Sequence, residues 1–176
     1  IRGEWRLRLI CTEEGKGPVS ALANIGKYIV QAMGQKVVQK VVDVRQLNLG
    51  KIYVKALDKE DHLVPVAFLD VPPYITSLKT FKNLLLIGDM VKVSGGFPGT
   101  FRPMAVRCGI LTKFVQESPF KLDVIAKDFY DASIVSVDFL ASEGSMTFSA
   151  ADDQGDLRLL EFDTQRTSVV SKAHLN

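Results

Sequence analysis

Short runs of alternating apolar and polar residues recur along this chain from one end to the other. Each run is rich in Val, Ile, Leu, Tyr and Phe and is closed by Gly, Pro, Asp or Asn, which is typical of half-buried strands joined by turns. Few segments show a helical period, so the pattern predicts an all-β fold. The predicted strands are Trp5 to Cys11, Val19 to Asn24, Tyr28 to Met33, Ile52 to Leu57, Val64 to Leu69, Tyr74 to Leu78, Leu84 to Ile87, Lys121 to Ala126, Ile134 to Phe139, Met146 to Ser149 and Leu157 to Phe162.

Three stretches repeat one another: GPVSALANIGKYIVQAMGQ, PPYITSLKTFKNLLLIGD and DASIVSVDFLASEGSMTFSAADD. Each has a strand that contains Ser, then a turn, then an apolar strand that ends in small and acidic or amide residues. The aligned serines, Ser20, Ser77 and Ser136, lie 57 and 59 residues apart. Both spacings exceed the roughly 40 to 45 residues of a four-stranded propeller blade.

Two insertions explain the excess length. The third strands KIYVKALD (Lys51 to Asp58) and DLRLLEFD (Asp156 to Asp163) match in alternation and in their terminal Asp, but residues 36–50 precede the first of them. Removing these residues reduces the first spacing to 42, and a similar removal at about 93–113 restores the second.

The repeats therefore predict an incomplete β-propeller with WD40-like four-stranded blades, all within one domain that continues outside this sequence. Its parts are the last strand of a preceding blade (1–12), a blade with the insertion 36–50 (13–71), a blade with an insertion at about 93–113 (72–128) and a partial blade (129–176). Alone, such a piece exposes blade faces and strand edges, so we expect it to aggregate or to stay partly unfolded.

Composition and charge argue against several classes of protein. Lys and Arg number 22 against 20 acidic residues, and a net charge of +2 creates no strong field for nucleic acid or an anionic membrane. The two cysteines, Cys11 and Cys108, lie far apart, which predicts neither a disulfide framework nor a zinc site. The longest apolar run, Asn83 to Gly88, is too short to cross a bilayer, so we expect a soluble chain. Because it opens with Ile1 and closes on a polar tail from Ser171, we expect an excerpt of a longer polypeptide.

Polar residues in the sequence predict no catalytic, cofactor-binding or metal site. His62 and His174 stand far apart in polar surroundings, as surface histidines do. Asp152 and Asp153, like Asp128 and Asp131, fit turns between strands, because DDQGD lacks the length and the Glu of an EF-hand loop. VKVSGGFPGTFRP (91–103) carries three glycines but no Lys-Ser or Lys-Thr after the last of them, and its prolines resist helix formation, so it is not a phosphate-binding P-loop.

One turn combines basic and aromatic side chains. Lys79, Phe81 and Lys82 lie in Lys-Thr-Phe-Lys-Asn between two predicted strands, and Phe101 and Arg102 repeat the combination in the second predicted insertion. Cations and aromatic rings together can bind single-stranded RNA through charge and base stacking. Lys79, Phe81 and Lys82 are therefore the RNA-contact candidates, and the alternative is that Phe81 only seals the turn.

Large aromatic residues are expected to pack between blades, because neighbouring blades bury wide apolar faces against each other. Trp5 alternates with Leu7 and Leu9, which places the three on one face of the first predicted strand. The other residues expected between blades are Tyr28, Tyr53, Phe68 and Tyr74.

With the insertions set aside, most of positions 4 to 163 resembles a known family. The similar segments are WRLRLICTEEGKGPVSAL, YIVQAMGQ followed by KIYVKALD, LVPVAFLDVPPYITSLKTFKNLLLIGDMVK and PFKLDVIAKDFYDASIVSVDF. They resemble the C-terminal CPSF A region of the large subunit of the cleavage and polyadenylation specificity factor. The steps GPVSAL…AMGQK and AFLD…LLLIGD are the most specific parts of this resemblance.

The resemblance implies a non-enzymatic scaffold in the nucleus that organises recognition of the polyadenylation signal in pre-mRNA. It implies the zinc-finger subunit, the WD-repeat subunit and the endonuclease module as partners, with pre-mRNA contacted indirectly, and no cofactor, membrane or small-molecule substrate. Two alternatives stay open. One is a paralogous scaffold, related to splicing factor 3b subunit 3 or to the large subunit of the UV-damaged-DNA-binding complex of cullin ubiquitin ligases; the other is a direct single-stranded RNA-binding module.

The two insertions depart from the family pattern, and two interpretations of them stay open. They are either surface loops of one lineage or retained introns translated in a gene model, since Val93-Ser94 can be encoded by GTGAGT, a splice-donor string. Sequencing the transcript separates the two, because a message that lacks both segments excludes the loop interpretation.

Overall fold

Three four-stranded antiparallel sheets make up the computed structural model of this chain, which describes residues 6–15, 17–34, 50–71, 74–89, 107–129, 132–142, 145–166 and 168–175. In each sheet the strands pair in chain order, as in the blade of a propeller. No helix occurs among these residues. The prediction of an all-β, incomplete β-propeller is confirmed. The strands are β1 (Val19–Ile25), β2 (Tyr28–Met33), β3 (Gly50–Leu57) and β4 (Leu63–Val71) in blade 1; β5 (Ile75–Phe81), β6 (Leu84–Asp89), β7 (Arg107–Val115) and β8 (Lys121–Phe129) in blade 2; and β9 (Ile134–Ser142), β10 (Ser145–Asp152), β11 (Leu157–Asp163) and β12 (Ser168–Leu175) in blade 3.

Strand β6 explains why LLLIGD is apolar without interruption. Leu85 and Ile87 belong to the core between blades 1 and 2, whereas Leu84 and Leu86 belong to the core between blades 2 and 3. A strand covered on both faces needs apolar residues at every position rather than at alternate ones. Blade 2 is therefore the middle layer of the three.

The first strands of the blades lie side by side and are joined by side-chain hydrogen bonds. The Thr80 hydroxyl donates to the Asn24 carbonyl at 2.6 Å, which connects β5 to β1. The Thr76 hydroxyl donates to the Ile134 carbonyl at 2.6 Å, which connects β5 to β9. These bonds fix the positions of neighbouring blades at their inner edge.

A β-bulge recurs in the first strand of every blade and corrects the predicted serine alignment. The register shifts between Val19 and Ala21 in β1, between Ile75 and Ser77 in β5, and between Ile134 and Ser136 in β9. Ala21 therefore corresponds to Ser77 and Ser136, and the predicted alignment through Ser20 is one residue off. The same registers make Ala67, Ala126 and Ala173 equivalent in the outer strands.

Three predictions about strands are corrected by the structure. Residues 6–11 form no strand, and Leu7 and Leu9 are exposed, because no neighbouring strand lies beside them among the described residues. Strand β7 begins at Arg107, inside the segment predicted as an insertion, and pairs with both β6 and β8. Strand β12 includes most of the predicted polar tail and is the fourth strand of blade 3, which was predicted to be partial. The assignment of 1–12 to a preceding blade stays a prediction.

The aromatic residues predicted to pack between blades divide into two groups. Tyr28 is buried beside Phe114, with ring centroids 5.2 Å apart, as predicted. Tyr53 is half-buried, whereas Phe68 and Tyr74 are 61% and 63% exposed; burial of Tyr74 is wrong for this chain, and packing of Phe68 against a further blade stays a prediction. Phe68 lies opposite Tyr53 on the face of blade 1 that points away from blade 2. Trp5 and residues 91–103, including Phe101 and Arg102, lie outside the described residues.

Candidate functional site

The three RNA-contact candidates meet at one rim of the joint between blades 2 and 3. Lys79 and Phe81 are two residues apart on β5, and Lys82 follows in the turn to β6. The Lys79 ammonium lies 3.1 Å from a carboxylate oxygen of Asp138 on β9. Both side chains are about half exposed, so this pair is screened by solvent. The charge of Lys79 is nevertheless balanced by its neighbour.

The Phe81 ring has two neighbours. Its centroid lies 5.8 Å from that of Phe139 on β9, with the ring planes inclined at 35°. The Lys82 ammonium lies 5.4 Å from the Phe81 centroid, within the range of a cation–π contact. Because Phe81 packs on blade 3 and is still 42% exposed, it both closes the joint and presents apolar surface to solvent.

Lys82 adopts a backbone conformation that few side chains favour. Its φ is 54°, in the left-handed region. The equivalent position in the β1–β2 turn of blade 1 is Gly26, with a φ of 56°. Glycine enters this region without a steric penalty, whereas a residue with a Cβ does not. Blade 2 therefore carries a lysine where blade 1 carries the residue that the turn geometry favours.

Of the predicted turn carboxylates, Asp152 and Asp153 lie at a turn, whereas Asp128 lies within strand β8 and pairs with Arg158, so its assignment to a turn is wrong; Asp131 lies outside the described residues. Asp152 accepts hydrogen bonds from the backbone N–H groups of Gln154 and Asp156, at 3.0 and 2.9 Å. Asp58 accepts bonds from Glu60 and His62, both at 2.8 Å, and these bonds, led by that of His62, lower the pKa of the Asp58 carboxyl. These side-chain bonds stabilise the turns, where the backbone N–H groups have no partner on a neighbouring strand.

The histidines lie at the surface beside acidic residues. His62 Nδ1 is 3.6 Å from an Asp58 oxygen, and His174 Nε2 is 2.9 Å from an Asp156 oxygen. Within the described part of the chain, no group of three or more His, Cys, Asp or Glu side chains could hold a metal ion. No helix in that part is long and apolar enough to span a membrane.

Two ion pairs that each contain a buried cation were not predicted. Arg158 on β11 donates to Asp128 on β8 at 2.9 Å, so the pair crosses the joint between blades 2 and 3. The Lys55 ammonium donates to a Glu13 oxygen at 2.7 Å, and the Lys55 side chain is only 4% exposed. In the sequence, the only sign of these pairs is a basic residue within a predicted strand, and that residue does not reveal which carboxylate it will meet.

The fold and this rim define a class of protein: stacked propeller blades with a basic and aromatic surface at one joint. Comparison with known sequences makes this specific. Residues 2–94 match the family model described as the CPSF A subunit region, and the chain belongs to that family. The match spans blade 1 and the first half of blade 2.

Relatives from several fungi are similar over nearly the whole chain. Protein cft1 of Schizosaccharomyces pombe is 31% identical over 160 residues, which is 91% of this chain and 9% of that protein. Protein CFT1 of Candida glabrata is 26% identical over 172 residues, 97% of this chain and 10% of its own length. Protein CFT1 of Saccharomyces cerevisiae is 25% identical over 160 residues, which is 90% of this chain and 9% of that protein. The chain thus spans about a tenth of the length of the relatives it matches.

Proposed function

We propose that this chain forms part of a scaffold subunit of the mRNA 3′-end cleavage and polyadenylation machinery. The observation that carries the proposal is membership of the CPSF A subunit region family, together with similarity to cft1 proteins over nine-tenths of the chain. The stacked blades support it, because a rigid propeller presents wide surfaces and many turns for binding other proteins.

The proposed role is non-enzymatic and needs no cofactor. The subunit organises the proteins that recognise the polyadenylation signal in pre-mRNA: a zinc-finger subunit, a WD-repeat subunit and the endonuclease module. It acts in the nucleus, where pre-mRNA is processed. The side chains at the described joints are engaged in packing and ion pairs, which holds the stacked blades together and supports a rigid scaffold.

An affinity purification tests this proposal. The full-length parent protein, tagged at its C-terminus, is isolated from its own cells and the co-purifying proteins are identified by mass spectrometry. Recovery of the zinc-finger subunit, the WD-repeat subunit and the endonuclease supports the scaffold role. Recovery of splicing factor 3b or cullin components instead would keep the fold and replace the function.

Direct binding of single-stranded RNA through Lys79, Phe81 and Lys82 is the second candidate. The meeting of these residues at one exposed rim favours it. The Lys79–Asp138 pair and the packing of Phe81 on Phe139 weigh against it, because they engage the charge and the ring that RNA would need. RNA affinity that falls with salt and with neutralisation of Lys79 and Lys82 would support this candidate.

A further inference from the structure

The β5–β6 turn holds a lysine at a position where backbone geometry favours glycine. Lys82 has a φ of 54°, and blade 1 places Gly26 at the equivalent position with a φ of 56°. Conformational strain retained at an exposed turn is a reason to look for a role of the side chain. The Lys82 side chain lies against Phe81, the partly exposed aromatic residue that ends β5.

A second cation lies beside this turn. Lys113 on β7 is exposed and pairs in register with Leu84, the first residue of β6 after the turn. Within the described part of the chain, no carboxylate lies within ion-pair distance of Lys82 or Lys113, whereas Lys79 is matched by Asp138; Asp123, which stands opposite Lys113 in register, is paired with Lys121. Phe81, Lys82, Lys113 and Phe139 form what we term the rim cluster: two cations beside an aromatic pair.

We propose that the rim cluster is a docking site for an acidic peptide segment of a partner protein. Carboxylates of the segment pair with Lys82 and Lys113, and an apolar side chain beside them packs on the exposed part of Phe81. A peptide fits better than RNA because Phe139 and the Lys82 ammonium already lie against the Phe81 ring, which reduces the surface that a base could stack on. The inference rests on the proposed scaffold role, since it names one surface through which a partner is held.

The test measures binding of defined probes to the full-length parent protein. The probes are a fluorescein-labelled peptide with the core Asp-Leu-Asp-Phe, a twin with Lys in place of both Asp, and a decamer of oligouridylate. The variants are Lys82→Gln, which keeps the backbone strain, Lys82→Asn, which relieves it, and Lys113→Gln. Lys59→Gln, in the exposed β3–β4 turn of blade 1, is the matched control.

The acidic peptide is expected to bind at least about tenfold more tightly than its lysine twin. Each substitution at Lys82 or Lys113 should weaken it about two- to fivefold, as expected for one exposed charge pair, and Lys59→Gln should leave it unchanged. Hydrogen exchange in β5 and β6 should be equal or slower in Lys82→Asn, which excludes unfolding as the cause of the loss.

Two results would overturn the inference. One is peptide binding that is the same in wild type and both Lys82 variants. The other is tighter binding of oligouridylate than of the acidic peptide, lost in Lys82→Gln, which would assign the rim cluster to RNA. The affinity purification of the wild-type protein is independent of both results, so failure of this inference and failure of the scaffold role are distinguishable.

Discussion

A single glycine allows blades 2 and 3 to approach closely. A Cβ placed on Gly88 would lie 2.8 Å from Ile134 Cγ2 and 3.2 Å from Val137 Cγ1. Real Cβ atoms do not approach this near, so β9 or its side chains would have to move. The small residue in the LLLIGD segment is therefore required by packing, and not by a turn.

Gly88→Ala should destabilise this joint by about 1 to 3 kcal/mol, the usual cost of overpacking a close contact. Gly109→Ala is the matched control, because its new Cβ would meet only Asp128 Cβ at an ordinary 3.7 Å. Hydrogen exchange of β6 and β9 in the full-length protein measures both effects. Equal protection in the two variants would contradict this account of Gly88.

An aspartate ends the third strand of blades 1 and 3 for the same physical reason. Asp58 accepts backbone hydrogen bonds from Glu60 and His62, and Asp163 accepts them from Gln165 and Arg166. The two sequence repeats KIYVKALD and DLRLLEFD thus share a strand and an aspartate that stabilises the turn after it. Blade 2 has no aspartate at this place, since the chain after β7 reads Gln116-Glu117-Ser118-Pro119.

The Asp58 turn should depend on pH in a defined direction. Hydrogen bonding to His62 lowers the pKa of Asp58 below its ordinary value of 3.8, so the charged form is favoured in the folded state. Its contribution to stability is complete above pH 3.8 and is lost as the pH falls through the lowered value. In the full-length protein, the protection of the β3–β4 turn against hydrogen exchange should be higher in wild type than in Asp58→Asn at pH 6, and this advantage should shrink by about pH 3. An advantage that is constant with pH would contradict this.

Apolar patterning predicted ten of the twelve strands of the structure and missed β7 and β12. Strand β7 was hidden in the presumed insertion, because the repeat spacing gives the length of an insertion and not its boundaries. Strand β12 has residues exposed on both faces, so its polarity does not alternate clearly. The predicted strand from Trp5 shows good alternation, but alternation alone does not supply a neighbour to pair with.

The candidate site was predictable only in its local part. Lys79, Phe81 and Lys82 are close in the sequence, although β5 extends through Phe81 and only Lys82 lies in the turn where all three were predicted; Asp138 and Phe139 reach them only because β9 packs on β5. The buried Arg158–Asp128 pair has the same origin in the stacking of blades. Such contacts follow from tertiary packing, which a single sequence does not specify residue by residue.

The pair across β8 and β11 should behave as a buried ion pair. Arg158→Met leaves the Asp128 carboxylate uncompensated and should cost about 3 kcal/mol, whereas adding Asp128→Leu should recover most of the loss. The exposed pair Lys121–Asp123 supplies the control, since Lys121→Met should change stability by less than about 0.5 kcal/mol. Hydrogen exchange of β8 and β11 in the full-length protein tests the series. A double variant no better than Arg158→Met would contradict it.

At the scale of the whole molecule, blade 1 has a face built for burial but left open in this chain. Leu22, Ile29 and Leu57 are exposed, although their equivalents in blade 2, Leu78, Leu85 and Phe114, are buried against blade 1. The Glu13–Lys55 pair covers only part of this open face. Large apolar faces of this kind are usually covered by a neighbour.

The isolated chain should therefore aggregate. Replacing Leu22, Ile29 and Leu57 together by Thr should increase the monomeric fraction severalfold, because these side chains form the exposed apolar surface through which copies of the chain associate. Val124→Thr, at a similarly exposed position whose equivalents are Pro65 and Ser171, should change it little. Sedimentation velocity measures the monomeric fraction. A wild-type chain that melts sharply as a monomer would refute the prediction.

The step from the second to the third strand of each blade always falls on the same rim, yet its length differs widely. In blade 3, residues 153–156 connect the two strands, and Asp152 accepts hydrogen bonds from this turn. In blades 1 and 2, residues 34–49 and 90–106 stand between the corresponding strands. The flanking strands keep the same pairing in all three blades. The pairing of the flanking strands therefore does not depend on the number of residues between them, and an epitope or fluorescent reporter inserted at Gln154-Gly155 is expected to leave the sheets intact.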